Sequence, residues 1–127
     1  MLFIKFIGKV TNNFPKKTYF CLINLYAMKI TIVSGARPNF MKIAPITRAI
    51  KAAQEAGKKI SYRLIYTGRQ DDTSLDASLF SDLDMKKPDG YLGVSGHDQS
   101  EVTAAIMLAF EKELNTHPAQ VVLVVDD

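Results

Sequence analysis

Arg37 and Lys42 are two cations five residues apart, and they follow directly on a glycine at Gly35. An arginine offers a planar fork of donors to a phosphate or to the edge of a uracil, and a lysine adds a point charge. A glycine ahead of them lets the backbone approach a phosphate or a ribose. Where a helix begins, such residues reinforce the unsatisfied N–H groups and the partial positive charge that already favour an anion. The chemistry read from this set is capture of a phosphorylated ligand. The competing reading is a plain strand-to-helix turn, with Arg37 in a surface ion pair and Lys42 solvated.

Other chemistry-bearing residues are sparser. His97 lies in Gly96-His97-Asp98-Gln99 ahead of a helical pattern, a second place where a helix N-terminus could meet an anion, but an isolated histidine in a polar loop is more often simply exposed. His117 sits beside Pro118 in a connecting turn and reads as a turn residue. Asp126 and Asp127 follow a buried strand, where paired carboxylates could move protons or hold Mg²⁺, although the other members of a magnesium or phosphoacceptor set are missing. No G-x-G-x-x-G stands here, which disfavours nicotinamide and flavin. Walker, Ser-His-Asp and metal-cluster patterns are missing too, so no cofactor and no metal is expected.

These residues need a scaffold of alternating strands and helices. Lys29–Val33 is a β-branched run that reads as a strand, and Pro38 to about Ala56 reads as a helix with proline in its first turn. Ile43, Ile46, Ile50 and Ala53 form its apolar stripe, Pro45 predicts a kink, and Gly57 ends it. Ile60–Tyr66 reads as a second strand. A helix from Asp72 or Thr73 to Leu83 would bury Leu75, Leu79 and Leu83. Tyr91–Val94 is a third strand, 99–115 a third helix, and the apolar run Val121–Val125 a strand buried on both faces. Phe40, Phe80 and Phe110 are expected in the core. The order implies α/β architecture: a Rossmann-like parallel sheet with flanking helices. Ligands of such sheets sit beyond the carboxyl ends of the strands, where Gly35 and Asp127 fall. A central strand normally hands its chain to another helix, so residues 28–127 read as an incomplete domain.

With 127 residues, 47% hydrophobic and 23% charged, the chain has the composition of an ordinary globular domain. Its single cysteine, Cys21, excludes an internal disulfide and fits a reducing compartment. The net charge of +3 arises from residues 1–27, whose four lysines and no acids contribute +4 and leave −1 for the rest. No basic patch for nucleic acid is therefore expected. Residues 1–27 form a distinct N-terminal segment with three open readings: translation that really starts at Met28, a poorly ordered extension or added strand, or a signal or anchor. Its apolar run Tyr19–Ala27 is far short of the ~20 residues that cross a bilayer. The expectation is a cytoplasmic protein without a membrane anchor.

The string Met28–Pro45 (MKITIVSGARPNFMKIAP) resembles the opening of the non-hydrolysing UDP-N-acetylglucosamine 2-epimerases, which read strand, G-x-R-P, then K-x-x-P. Tyr66-Thr67-Gly68, Lys87-Pro88-Asp89 and Val121–Asp127 extend the likeness over residues 28–127. The resemblance implies a partial N-terminal domain of a two-domain, GT-B-like architecture closing around UDP-N-acetylglucosamine, with a missing C-terminal domain and a homodimer in the complete enzyme. It implies inversion at C2: the C2 proton is removed and UDP expelled to leave a glycal, then UDP re-adds as C2 is reprotonated on the other face. Gly35, Arg37, Lys42 and Gln70 would bind the substrate and Asp127 would serve proton transfer. The family loop Gly-Gln-His reads Gly68-Arg69-Gln70 here, which removes an imidazole from that position. A polypeptide of this extent is expected to have little epimerase activity alone. The alternatives are a non-catalytic UDP-sugar-binding remnant, half of a split enzyme, or a GT-B glycosyltransferase fragment.

Overall fold

The computed structural model describes residues 2–6 and 27–125. Asp126 and Asp127, together with Cys21 and the rest of residues 7–26, lie outside the described residues. The chain order is β1 (Leu2–Phe6), β2 (Met28–Ser34), α1 (Arg37–Glu55), β3 (Ile60–Tyr66), α2 (Ala77–Asp82), β4 (Gly90–Tyr91), α3 (Gln99–Thr116) and β5 (Val121–Val125). One five-stranded sheet runs β1-β5-β2-β3-β4. The pairs β5–β2, β2–β3 and β3–β4 are parallel, whereas β1 lies antiparallel along β5 with Leu2 opposite Val125. The expectation of a purely parallel sheet is thus corrected at one edge. The four parallel strands form a Rossmann-like array flanked by helices, as expected. The strand order reverses at β2, with β3 on one side and β5 on the other.

The core lies between this sheet and α1. Ile32, Leu64, Leu123 and Val125 face Phe40, Ile43 and Ile50, and all seven are buried. Phe40 meets the Phe80 ring edge-on at 5.3 Å and the Tyr66 ring at 5.9 Å, so one aromatic joins α1, α2 and β3. The apolar stripe of α1 is rotated slightly from expectation: Phe40, Ala44 and Thr47 join Ile43 and Ile50 in the interior, while Ile46 and Ala53 are half-buried. The predicted kink at Pro45 does not interrupt α1. Pro45 and Met41 both lie on its exposed side, so the carbonyl that loses its donor faces water.

Two elements are shorter than their sequences predict. The second helix starts at Ala77 because Asp76, not Asp72 or Thr73, caps it by accepting from the Ser78 N–H at 3.1 Å. Asp72 is drawn instead to the Tyr66 hydroxyl and the Ser74 N–H. Leu79 is buried nonetheless, with Leu75 and Leu83 packed against the core. β4 spans only Gly90–Tyr91, since Gly93 adopts φ +70 and turns the backbone out of extended geometry. Residues 92–94 still bond to the loop after β3, with Leu92, Gly93 and Val94 donating to the carbonyls of Tyr66, Gly68 and Thr67.

α3 has no fully buried residue, and Phe110, expected in the core, is only half-buried. Its firmest polar tie to the sheet is the pair Arg63–Glu113 at 2.5 Å, with side chains 30% and 16% exposed. His117 Nδ1 also lies 3.2 Å from the Glu113 carboxylate. Replacing Glu113 by Ala is expected to loosen α3 while the α1–sheet core holds. Hydrogen exchange should speed up across 99–116 and stay unchanged in β2 and β3.

Candidate functional site

Three connections gather at the carboxyl end of the sheet: 35–36 after β2, 67–73 after β3 and 92–96 after β4. They are stitched together, since Thr67 N–H donates to Ser34 O at 3.0 Å and Val94 N–H to Thr67 O at 3.0 Å. A cavity of about 450 Å³ opens among them, lined by Gly35, Thr67, Arg69, Asp72, Ser95 and Val102 along with their neighbours. A Cβ at Gly35 would lie 3.9 Å from the Thr67 hydroxyl oxygen, so this glycine keeps the cavity wall low rather than relieving a clash.

The turn into α1 is built by short local bonds. Ser34, wholly buried, donates its hydroxyl to Ala36 O at 3.2 Å, and Asn39 N–H donates to the same carbonyl at 3.1 Å. The helix itself has no side-chain cap, because Ala36 is extended and carries no polar group. Of its first turn, Pro38 carries no N–H and Asn39 uses its own on Ala36 O, so the Arg37 N–H is the donor that a side-chain cap would have met at the strand ends, where a helix N-terminus favours an anion. α2 and α3 differ. Asp76 and Asp98 cap them by accepting from Ser78 and Ser100. The expected anion site ahead of α3 is thereby corrected, since the Asp98 carboxylate already occupies that helix end. His97 is exposed there.

Arg37 is exposed in the first turn of α1, with Asp76 in reach of its field. The Asp76 carboxyl is held below the ordinary range chiefly by the Ser78 N–H and hydroxyl, with Arg37 adding a smaller pull. Lys42 is exposed one turn further on. Gln70 is exposed in the loop after β3, but the cavity is lined by its neighbours Arg69 and Asp71. Those two form a bidentate pair at 2.9 and 2.7 Å on the surface, which engages Arg69. Gly35 thus reaches the cavity, whereas Arg37, Lys42 and Gln70 stand outside its lining.

Sequence reasoning missed the Tyr66–Asp72 contact. The Tyr66 hydroxyl donates to Asp72 Oδ2 at 2.6 Å, and Asp72 Oδ1 accepts from Ser74 N–H at 2.9 Å. The Tyr66 ring lies over Gly68, where a Cβ would come within 2.5 Å of a ring carbon. Burial, then the bond to Asp72 and its charge, push the Tyr66 phenol up to about 12. The same phenol and the Ser74 hydroxyl and N–H hold the Asp72 carboxyl below its usual range. A Tyr–x–Gly at the end of a strand followed by an aspartate six residues on is the signal that carries it.

A separate cavity of about 490 Å³ lies near the start of β3, lined by Arg48, Lys51, Gln54, Tyr62 and Lys86 among others. It is remote from the strand carboxyl ends, and two of its cations are engaged. Lys86 pairs with Asp89 at 3.0 Å and sits 4.5 Å over the Tyr62 ring, and Arg48 donates to Leu83 O. Among the described residues there is no cluster of three or more potential metal ligands, and no helix long and apolar enough to cross a membrane.

No protein-family model matches the chain. It is 28% identical over 100 residues to the UDP-N-acetylglucosamine 2-epimerase of Methanocaldococcus jannaschii, covering 79% of this chain and 26% of that enzyme. The crystal structure of a Methanocaldococcus jannaschii UDP-GlcNAc 2-epimerase in complex with UDP-GlcNAc and UDP superposes with a TM-score of 0.62 over 76% of this chain and 25% of that one. The chain matches an N-terminal fragment of the UDP-N-acetylglucosamine 2-epimerase family. A second relative, the UDP-2,3-diacetamido-2,3-dideoxy-D-glucuronate 2-epimerase of Pseudomonas aeruginosa, is 29% identical over 100 residues, covering 79% of this chain and 27% of its own length. A Listeria monocytogenes structure at 20% identity shares the fold, with a TM-score of 0.59. The chain spans about a quarter of the length of the 2-epimerases it matches.

The Tyr66 phenol gives a signed pH dependence. Its folded pKa lies above its ordinary value of 10, so its stabilising contribution is complete below pH 10 and is lost as pH rises towards about 12. Tyr66→Phe is expected to lower the melting temperature at neutral pH and to melt with a shallower alkaline fall than the wild type. Thermal unfolding followed by circular dichroism from pH 8 to 12 checks both.

Proposed function

We propose that residues 28–127 supply one wall of the substrate cleft of a UDP-N-acetylglucosamine 2-epimerase, and that 1–27 is an N-terminal extension whose β1 adds an edge strand to the sheet. The observation that carries the reading is the uncapped N-terminus of α1. It stands with Gly35 and Arg37 at the point where the strand order reverses, the place where open α/β sheets take their ligands. The likeness to 2-epimerases supports the substrate class.

In this reading Gly35 lets the substrate approach the backbone, and Arg37 and Lys42 stabilise the departing diphosphate. Gln70 contacts the substrate from the loop after β3. Asp127 takes part in the proton transfer at C2, which passes through loss of the C2 proton and of UDP to a glycal, then re-addition of both with inversion. A further domain closes the cleft, the complete enzyme is a homodimer, and the protein works in the cytoplasm without a cofactor. One wall offers few of the contacts that a closed cleft would make, so this chain alone turns over little substrate. The sugar is less fixed than the nucleotide, because the relative acting on a diacetamido-glucuronate is as similar as the one acting on UDP-GlcNAc. UDP is common to both.

The purified chain is expected to bind UDP weakly. Arg37→Ala should weaken that binding by about 10-fold or more, the loss of charge-assisted bonds worth roughly 1.5–3 kcal/mol. Isothermal titration, or chemical-shift titration where binding is millimolar, reads the change. Failure of the wild-type chain to bind UDP, or equal binding by the variant, would count against the reading.

A further inference from the structure

Asn39 is wholly buried in the first turn of α1, and neither Oδ1 nor Nδ2 of its amide has a hydrogen-bond partner among the described residues. A primary amide carries two donors and an acceptor, and leaving them unmet in the interior costs the desolvation of the whole group. Ser34 and Thr47, buried to a similar degree on either side of it, donate to Ala36 O and Ala44 O. Packing alone would be better served by a leucine of about the same size, since replacing an unmet polar group with an apolar one of similar shape is neutral or stabilising.

The position of Asn39 gives the amide a use. It is the third helical residue of α1, and the Cα–Cβ bonds of a helix tilt towards its N-terminus, so the side chain leans to the uncapped end at Ala36–Arg37. That end lies over β2, where the strand order reverses. A helix end without a side-chain cap and an unmet buried amide leaning towards it are independent features that meet at the same place. An anion alone would answer the Arg37 N–H but would face Oδ1 with a second acceptor. The amide needs a ligand that presents a donor beside an acceptor.

We propose that Asn39 is a ligand-orienting residue, whose amide gains its partners when its side chain turns to the helix end on docking of a UDP-sugar. The inference rests on the nucleotide-sugar reading above. Nδ2 donates to a ligand oxygen, and Oδ1 accepts from a ligand N–H or O–H. Two parts of the ligand carry that pattern, the imide edge of uracil and the hydroxyls of a sugar. The free chain bears the cost of the unmet amide, and ligand binding relieves it.

The test compares wild type with Asn39→Leu for binding of UDP-GlcNAc, UDP and pyrophosphate by titration, with melting temperatures of the free proteins. The expected result is a higher melting temperature for the ligand-free variant and at least a 10-fold loss of affinity for UDP-GlcNAc. Loss for UDP-GlcNAc alone assigns the contact to the sugar, and loss for UDP as well assigns it to the nucleoside. Equal affinities with a lowered melting temperature would mean a purely structural amide, and would overturn the inference while leaving the nucleotide reading intact. A matching loss for pyrophosphate would overturn the donor–acceptor assignment. A wild type that binds none of the three removes the nucleotide reading and this inference together. If Asn39→Leu fails to fold, the side-chain amide resonances of Asn39 in the wild type decide. They should shift and exchange more slowly at saturating UDP-GlcNAc, and unchanged resonances would overturn the proposal.

Discussion

β2 is hydrogen-bonded along both edges, to β3 from Met28 to Ser34 and to β5 from Ile30 to Ser34. With both edges taken, its chain can only leave through the carboxyl end of the sheet. It must also turn sharply there, because the next element has to come back over the sheet and cover Ile32. The turn Ser34-Gly35-Ala36 does this with a buried serine hydroxyl bonded to Ala36 O and a glycine at its crest. The location of the candidate site is therefore a consequence of strand pairing before any ligand is considered.

Phe40 fixes the other end of that geometry. Wholly buried and in contact with the Tyr66 and Phe80 rings, it seats the first turn of α1 on the sheet and ties α2 to the same cluster. Truncating an aromatic of this kind costs about 3–5 kcal/mol, a large part of the stability of a domain of this size. The seat explains why a helix with an uncapped N-terminus is tolerated: tertiary packing holds α1, and capping is not required of it. α3 is the opposite case. It is capped by Asp98 but has no fully buried residue, and Met107 and Leu108 are 68% and 63% exposed. Its place on the sheet depends on half-buried contacts and on the Arg63–Glu113 pair.

The loop after β3 shows how one tyrosine can organise a site wall. Tyr66 contributes its ring to the core and its hydroxyl to Asp72, so the loop is anchored from the interior outwards. Gly68 leaves room for that ring. The result is a firm rim beside Gly35, against which a ligand at the end of α1 would rest.

The sequence by itself determined the strands Ile60–Tyr66 and Val121–Val125, the long helix after Gly35 and the α/β class, because apolar periodicity and β-branched runs are local properties of the chain. It also marked Gly35 and Arg37, since a glycine and a cation at a strand-to-helix junction are legible without neighbours. Only the tertiary structure decided which aspartate caps the second helix, because Asp72 and Asp76 are both good caps and the choice depends on Tyr66 taking one of them. The same holds for β1, whose antiparallel place beside β5 is a pairing across more than 100 residues that no local pattern encodes. It holds most clearly for Asn39. In the sequence it is a polar residue beside a proline at the start of a helix, where solvent exposure is the ordinary expectation. Burial is a property of the assembled fold, so only the fold could show an amide with nothing to bond.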